Sequence, residues 1–523
     1  MADRIVALPV PEARYSGLHA VKDGLAWLRK PVRGNLGIGG AQPADDAPRP
    51  VLERFDLAQR EVCELAGDVD WFEASGDGTR LVTSDHGKLT VIPAERKADG
   101  DKPDDKIEID RSRARFLLDP PAMWRQAYAE AGRIMRHDFW VPDMADVDWD
   151  AMQDEYRPLL DRITTGSEFV DVLWEVFGEL GTSHAYAYPP DGGTPASGPG
   201  LLGADIERNE DAWRLTRVVR GDTSDPRARS PLATPGARIA VGDVLLAVDG
   251  RPVGPEGPGP LLMGAAGKPV ELTVAPADGS RPRSVPVVPL RSDTRLRYLD
   301  WVSAKRAQVR ELSGDLVGYL HVPDMVSQGW ADFHRDLRTE MLRDALIVDV
   351  RGNTGGHTSE LVVEKLARRV IAWDVPSGLM PSTYPEDAPR GPVVAIADEC
   401  AASDGDIVTG AIRLLRLGPV VGARTWGGVI GFDHEHELID GTQITVPRLA
   451  FWFEEYGWGV ENHGVDPDVE VIMSPDDWAA ERDTQLETAV RLALEALQQR
   501  PAVRPPDART RPSKRRPPLP PRL

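Results

Sequence analysis

Cys63 and Cys400 are the only cysteines in 523 residues, too few for a disulfide framework or a cysteine-based metal cluster. No stretch approaches the ~18 consecutive apolar residues that a membrane helix needs. The opening MADRIVALPVPEARYSG also lacks an apolar secretory core, so a cytoplasmic chain with no membrane partner is expected. Basic charge is scarce as well: 62 Lys and Arg face 83 Asp and Glu, a net charge of -21. That balance argues against nucleic acid as a partner. No phosphate-binding loop or EF-hand string occurs, and no cofactor is expected. His434 and His436 share a strand face with no third ligand near them in sequence, so no metal site is assigned.

What is present reads as a multidomain α+β chain. Its length exceeds what one core usually holds. Residues 1–115 alternate like β-structure, with a strand, tight turn, strand rhythm around Ser75-Gly76-Asp77-Gly78-Thr79 and in LVTSDHGKLTVI. A propeller blade takes ~40–45 residues, so only a partial propeller of one or two blades fits. Residues 116–198 change to helical periodicity. In DWDAMQDEYRPLLDRI, Met152, Tyr156, Leu159, Leu160 and Ile163 form one helix face. In SEFVDVLWEVFGEL, Phe169, Val170, Leu173, Val176, Phe177 and Leu180 form another, with Ser167 as its expected N-cap. Residues 199–290 read as a small β-domain. Residues 291–490 alternate apolar strands (GDLVGYLHV, DALIVDV, PVVAIADE) with amphipathic helices, a layered α/β pattern, followed by a hairpin turning at Asp440-Gly441. Residues 491–523 hold a helix end and a basic tail. From Arg500 onward eight Lys/Arg and eight prolines accompany the single Asp507, a composition with little to bury and an expected disordered tail.

Two positions carry the chemistry. Ser403 falls between the strand PVVAIADE and a helix starting near Asp406, where a hydroxyl is exposed and the helix N-terminus stabilises developing negative charge. An ordinary N-cap serine reads the same way locally. Arg351-Gly352-Asn353-Thr354-Gly355-Gly356 follows the strand ALIVDV, and glycines there let backbone amides approach a ligand closely. One oxyanion donor from that turn and one from Asp404 N–H fit this layout.

Several stretches, and the order of the elements, resemble known families. Gly200-Leu201-Leu202-Gly203 resembles the carboxylate-binding loop of a PDZ domain, and Val241-Gly242-Asp243-Val244 through Asp249-Gly250 resembles its later strand and turn. That implies peptide capture by the Gly200 and Gly203 backbone. The order of strand, glycine turn, helix, strand, serine and helix resembles the tail-specific C-terminal processing proteases and implies a crotonase-like catalytic fold. Their lysine base has no counterpart, because Gly428 stands at the matching place in Gly422-Ala423-Arg424-Thr425-Trp426-Gly427-Gly428. Leu180-Gly181-Thr182-Ser183-His184-Ala185-Tyr186 and Gly457-Trp458-Gly459-Val460-Glu461-Asn462-His463-Gly464 instead resemble the tricorn proteases of the same superfamily.

The tricorn resemblance covers roughly residues 116–490 and implies a serine peptidase acting on peptides and oligopeptides. Ser403 would be nucleophile and His184 general base. Ser183 and Glu461 would orient the histidine, and Gly356 and Asp404 N–H would form the oxyanion hole. Asp374 lies near the place of an acidic residue that shapes the P1 pocket from a neighbouring subunit. A homohexamer is implied too. Where tricorn proteases carry two complete propellers, only a remnant of the second fits ahead of this core. The competing reading is a peptide-binding PDZ scaffold on an inactive protease fold.

Overall fold

The computed structural model describes residues 8–31, 48–99, 102, 104–115, 117–190, 198–222, 225–234, 236–512 and 514–516. They fall into two compact units, 1–119 and 120–523.

The first unit is two open four-stranded sheets, with neighbouring strands antiparallel and in sequence order. One holds β1 (Arg14–Val21), β2 (Gly24–Lys30), β3 (Val51–Asp56) and β4 (Glu61–Ala66); the other holds β5 (Trp71–Ala74), β6 (Arg80–Asp85), β7 (Lys88–Pro93) and β8 (Ile107–Glu108). Alternate apolar side chains, among them Leu28, Leu52, Leu65, Phe72, Leu81 and Ile92, form its core. In the β5–β6 turn the Asp77 carboxylate accepts from the Ser75 hydroxyl and the Thr79 amide and hydroxyl, which lowers its pKa to about 2. Each sheet has the four-stranded form of a propeller blade.

The second unit opens with three helices, α1 (Pro120–Asp138), α2 (Trp149–Tyr156) and α3 (Gly166–Gly178). Trp124, Tyr128, Ala131 and Met135 of α1 pack against Phe169, Leu173, Val176 and Phe177 of α3. The expected single helix over DWDAMQDEYRPLLDRI is an α-helix to Tyr156 and a 3-10 turn over Arg157–Asp161, because Pro158 has no amide to continue the ladder. The expected Ser167 cap is also corrected. Thr165 is the N-cap, accepting from Glu168 N while the Glu168 carboxylate accepts from Thr165 N, a reciprocal capping box. Thr165→Ala is expected to cost ~1 kcal/mol in urea unfolding, whereas Ser167→Ala should cost much less.

The short strand β9 (Ala187–Tyr188) leads to a five-stranded antiparallel sheet with one added short strand. Its members are β10 (Ala204–Asn209), β11 (Ala212–Val218), β12 (Val244–Val248), β13 (Arg251–Pro252), β14 (Val270–Ala275) and β15 (Arg283–Val287), with the short α4 (Gly259–Leu262) between β13 and β14. Asp249 and Gly250 both have positive φ and make the two-residue turn between β12 and β13 that Asp-Gly favours.

The remainder is a three-layer α/β domain. Strands β16 (Val317–His321), β17 (Ala345–Asp349), β20 (Val393–Ala397), β21 (Val420–Gly422) and β24 (Val469–Glu470) lie parallel in that order. The hairpin β18 (Ala372–Asp374) and β19 (Ser382–Tyr384) interrupts them in sequence, as does the hairpin β22 (Glu435–Glu437) and β23 (Gln443–Thr445). One sheet face packs on α6 (Ser327–Glu340), α7 (Ser359–Ala367) and α8 (Asp404–Leu414). The other packs on α5 (Thr294–Ser313) and, beyond the short α9 (Pro475–Ala479), on α10 (Thr484–Gln499). Burial on both faces explains why these strands read as unbroken apolar runs. The start of the basic tail is seated on this domain: Val503 N–H donates to the Arg390 carbonyl at 2.9 Å and Arg504 pairs with Asp344.

Strand β23 pairs with both β22 and β9. The hairpin therefore joins the histidine segment, and Leu438, Ile444 and Val446 enter the core of the three-helix region.

Candidate active site

The glycine turn and Ser403 leave the C-terminal ends of adjacent parallel strands, β17 and β20, where open α/β sheets present their ligand sites. Ser403 occupies the N-cap position of α8, yet its side chain makes no capping hydrogen bond. Its backbone has φ +58° and ψ -116°, a sparsely populated conformation costing on the order of 1–3 kcal/mol. Neighbouring bonds hold it there. Ala402 N–H donates to the Asn353 carbonyl and Gly405 N–H to the Ala402 carbonyl, each at 2.8 Å.

Asn353, wholly buried, ties the glycine turn down by donating to the Val322 carbonyl at 2.7 Å and accepting from Gly355 N–H at 2.9 Å. Gly355 (φ +81°) lies against the serine: a methyl group there would stand 2.6 Å from Ser403 Cβ and 3.1 Å from its Oγ. Only glycine permits that approach. The Asp404 carboxylate turns away, accepting from Ser359 N at 2.9 Å and Ser359 Oγ at 2.5 Å, so it anchors the first residue of α7. Among the described residues the N–H groups of Gly356 and Asp404 have no protein acceptor.

His184, Ser183 and Glu461 form a relay. The Glu461 carboxylate accepts from Ser183 N at 2.7 Å, Ser183 Oγ at 3.2 Å, Val429 N at 2.7 Å and Ile430 N at 3.0 Å. The Ser183 hydroxyl, spent as donor to Glu461, lies 2.9 Å from His184 Nδ1. It therefore accepts from Nδ1–H, which leaves the lone pair on Nε2. Burial pushes the His184 pKa below its ordinary value, against the opposing pull of the Glu461 charge and the Ile430 backbone. The rings of Tyr186, Phe432 and Trp426 surround the imidazole at 5.6, 5.8 and 6.0 Å between centroids. The Thr445 hydroxyl donates to the His184 carbonyl at 2.7 Å, fixing the segment to β23.

No hydrogen bond joins His184 to Ser403 in this structure, and Trp426 links their surroundings. Its amide donates to the Ala401 carbonyl at 3.1 Å, two residues before the serine, while its ring packs beside His184. A side chain at position 428, where a Ser-Lys mechanism would carry its lysine, would have to displace the Trp426 ring, since a Cβ there would fall 2.1 Å from it.

Sequence reasoning missed Asp406, which is fully buried and accepts from Gly427 N at 2.8 Å and Gly428 N at 3.2 Å. Burial raises its pKa against these bonds and those from Thr425 and the Ser403 backbone. Its visible signal was an acidic residue in the first turn of α8, a position usually explained by the helix dipole alone.

The remaining candidates lie apart from this cluster. Asp374 is exposed on the β18–β19 hairpin and shares no hydrogen bond or ion pair with Ser403, His184 or Glu461. In the Gly200–Gly203 loop, Gly200 N–H and Leu201 N–H already donate to the Leu262 and Leu290 carbonyls at 2.8 and 2.9 Å. Leu296 of α5 packs where a Gly203 side chain would sit. Among the described residues the Leu202 and Gly203 amides of that loop have no protein acceptor.

Three family models match the chain in succession: the tricorn protease C1 domain over 120–178, the tricorn protease PDZ domain over 200–292 and peptidase family S41 over 316–471. The crystal structure of the tricorn protease superposes with a TM-score of 0.84 at 32% identity, covering 94% of this chain and 47% of that one. The chain belongs to the tricorn protease family. Tricorn protease homolog 1 of Streptomyces coelicolor is 58% identical over 509 residues, 97% of this chain and 48% of that protein. The tricorn protease of Thermoplasma acidophilum is 34% identical over 453 residues, 86% of this chain and 41% of its own length. The chain thus spans about half the length of the curated relatives it matches. The three tricorn and S41 matches follow the order of the helical, PDZ-like and α/β regions. Among the described residues no helix is long and apolar enough to cross a membrane.

Proposed function

We propose that the chain is a serine peptidase that hydrolyses peptides and oligopeptides through an acyl-enzyme on Ser403. The observation that carries this reading is the Glu461–Ser183–His184 relay, which leaves a neutral imidazole with a free lone pair in the neighbourhood of a strained, uncapped serine hydroxyl. His184 Nε2 takes the Ser403 proton as Oγ attacks the scissile carbonyl, and the same proton goes to the leaving amine as the acyl-enzyme forms. Water, deprotonated by His184, then releases the acid product. Ser183 and Glu461 hold the Nδ1–H tautomer and stabilise the imidazolium. Gly356 N–H and Asp404 N–H receive the charge on the tetrahedral oxygen, where each donor is worth about 10²–10³ in rate. The hexameric assembly, the acidic P1 contribution of Asp374 and a cytoplasmic location rest on resemblance and composition, and are part of the same proposal. The scaffold alternative gains no support, because nucleophile, base, orienting groups and oxyanion donors are all present.

A fluorophosphonate probe, with the modified peptide mapped by mass spectrometry, tests the assignment. Labelling at Ser403 is expected, and a fully active enzyme labelled elsewhere would remove the proposal. Glu461→Gln keeps the shape of the relay but removes its charge. Its expected loss in kcat is about 10- to 100-fold, less than the ~10²–10⁴ that a general base supplies, with KM nearly unchanged.

A further inference from the structure

We propose that Asp138, His434 and His436 form a binding site for a divalent transition cation of the zinc class, clipping the C-terminal end of α1 to β22. The third ligand that the two histidines lack in sequence is brought in by the fold. Each of the three residues offers one ligand atom, and these atoms lie within 4.8 Å of one another. His436 Nε2 is 3.5 Å from Asp138 Oδ2, close to the ~3.3 Å edge of a tetrahedron built on zinc–nitrogen and zinc–oxygen bonds. The His434 and His436 rings are 4.4 Å apart between centroids, as alternate residues on one strand face allow. His434 is half-exposed, so a small rotation closes the remaining span and water can complete the coordination.

Groups behind the ligands have the arrangement that orients a metal site. Asp433 Oδ1 lies 2.6 Å from His434 Nδ1 and is backed by Arg448 at 3.2 Å, which leaves His434 Nε2 as the nitrogen for the cation. His137 Nδ1 lies 2.9 Å from Asp138 Oδ1 and leaves Oδ2 to the cation. Such carboxylate–histidine pairs fix ring orientation and raise ligand basicity. Charge points the same way. Asp138 is the last residue of α1, where a carboxylate meets the negative end of the helix dipole, and a cation offsets that repulsion. Two imidazoles and one carboxylate suit zinc, cobalt or nickel better than calcium or magnesium. The site shares no residue with the Ser403 and His184 machinery. Its effect is mechanical: β22 pairs with β23, and β23 holds the histidine segment through Thr445.

The test is cobalt titration of the chelator-treated full chain. One equivalent should bind with the visible absorption of four- or five-coordinate cobalt, be displaced by zinc, and raise the melting temperature. His434→Asn should weaken binding at least ~10-fold and His434→Asn/His436→Asn should abolish it. Asp433→Asn, which touches only the orienting shell, should weaken it by ~10- to 100-fold. The half-exposed position of His434 lets the single variant fold, as circular dichroism would verify. A spectrum of aquo-cobalt alone, or absorption that persists in the double variant, overturns the proposal.

Discussion

Ser403→Ala and His184→Ala each lower kcat/KM for peptide hydrolysis by about 10³- to 10⁶-fold, and the double variant is scarcely worse than either. Non-additivity follows from a single proton transfer: once Oγ is gone the base has nothing to deprotonate, and without the base Oγ stays a neutral alcohol. Residual turnover over water comes from the oxyanion donors and substrate binding, which neither substitution touches. The pH profile identifies the base. The active form of His184 is the neutral imidazole, and burial lowers its pKa below the ordinary value. Activity is therefore lost as pH falls through a pKa below the ordinary histidine value, and kcat/KM rises to its plateau on the alkaline side of it. A half-maximum well above that value would indicate a different base, and full activity in His184→Ala would end the mechanism. Gly428→Lys should not rescue His184→Ala, because the Trp426 ring fills the space beside position 428.

Much of this architecture was legible because its signals are local. Helix faces in α2 and α3, unbroken apolar runs in β16, β17 and β20, and the Asp-Gly turns each record one element's surroundings in a few adjacent residues. Ser403 and the 351–356 turn were legible for the same reason, since each is the segment following a buried strand. The relay was different. Ser183 and Glu461 are far apart in sequence, and no periodicity signals that one accepts from the other, so only resemblance linked them. Asp404 shows a second limit. Its backbone amide could be placed beside the serine from the sequence, but nothing in the chain announces that its side chain turns away to hold Ser359. The expected Ser167 cap failed by two residues because Thr165 and Glu168 together satisfy two amides where a lone serine satisfies one. The third partner of His434 and His436 was invisible because Asp138 lies on a helix that meets β22 only in the folded core.

Asp349→Ala is expected to destabilise the catalytic unit by about 3–5 kcal/mol, the range for removing one partner of a buried ion pair. Asp349 is completely buried at the end of β17 and accepts from Arg351 Nε at 3.0 Å and Nη2 at 2.6 Å, and from the Tyr319 hydroxyl at 2.8 Å. Arg351 also reaches Asp483 at 2.9 Å, which in turn takes Lys305 at 2.6 Å. Alanine would leave the buried Tyr319 hydroxyl without its acceptor and take one carboxylate partner from the largely buried Arg351 guanidinium. Asp349→Asn keeps the volume and one acceptor, and should cost less. Urea unfolding with an unchanged m-value measures both. Burial works against ionisation of Asp349, but Arg351 outweighs it and holds the pKa below the carboxylate range, while Asp483 falls to about 2. Depressed carboxyl pKa values contribute stability that is complete above the unfolded pKa near ~3.9 and is lost as pH drops through the folded values. The acid limb of the stability curve should therefore be shallower in Asp349→Ala than in the wild type. The same substitution reaches the chemistry, because Arg351 opens the turn that ends at Gly356. Loosening that turn should lower kcat while leaving KM nearly unchanged, since the oxyanion donor acts only as the tetrahedral charge develops. A variant that loses stability while keeping full kcat would separate the ion-pair network from the oxyanion turn it is argued to hold.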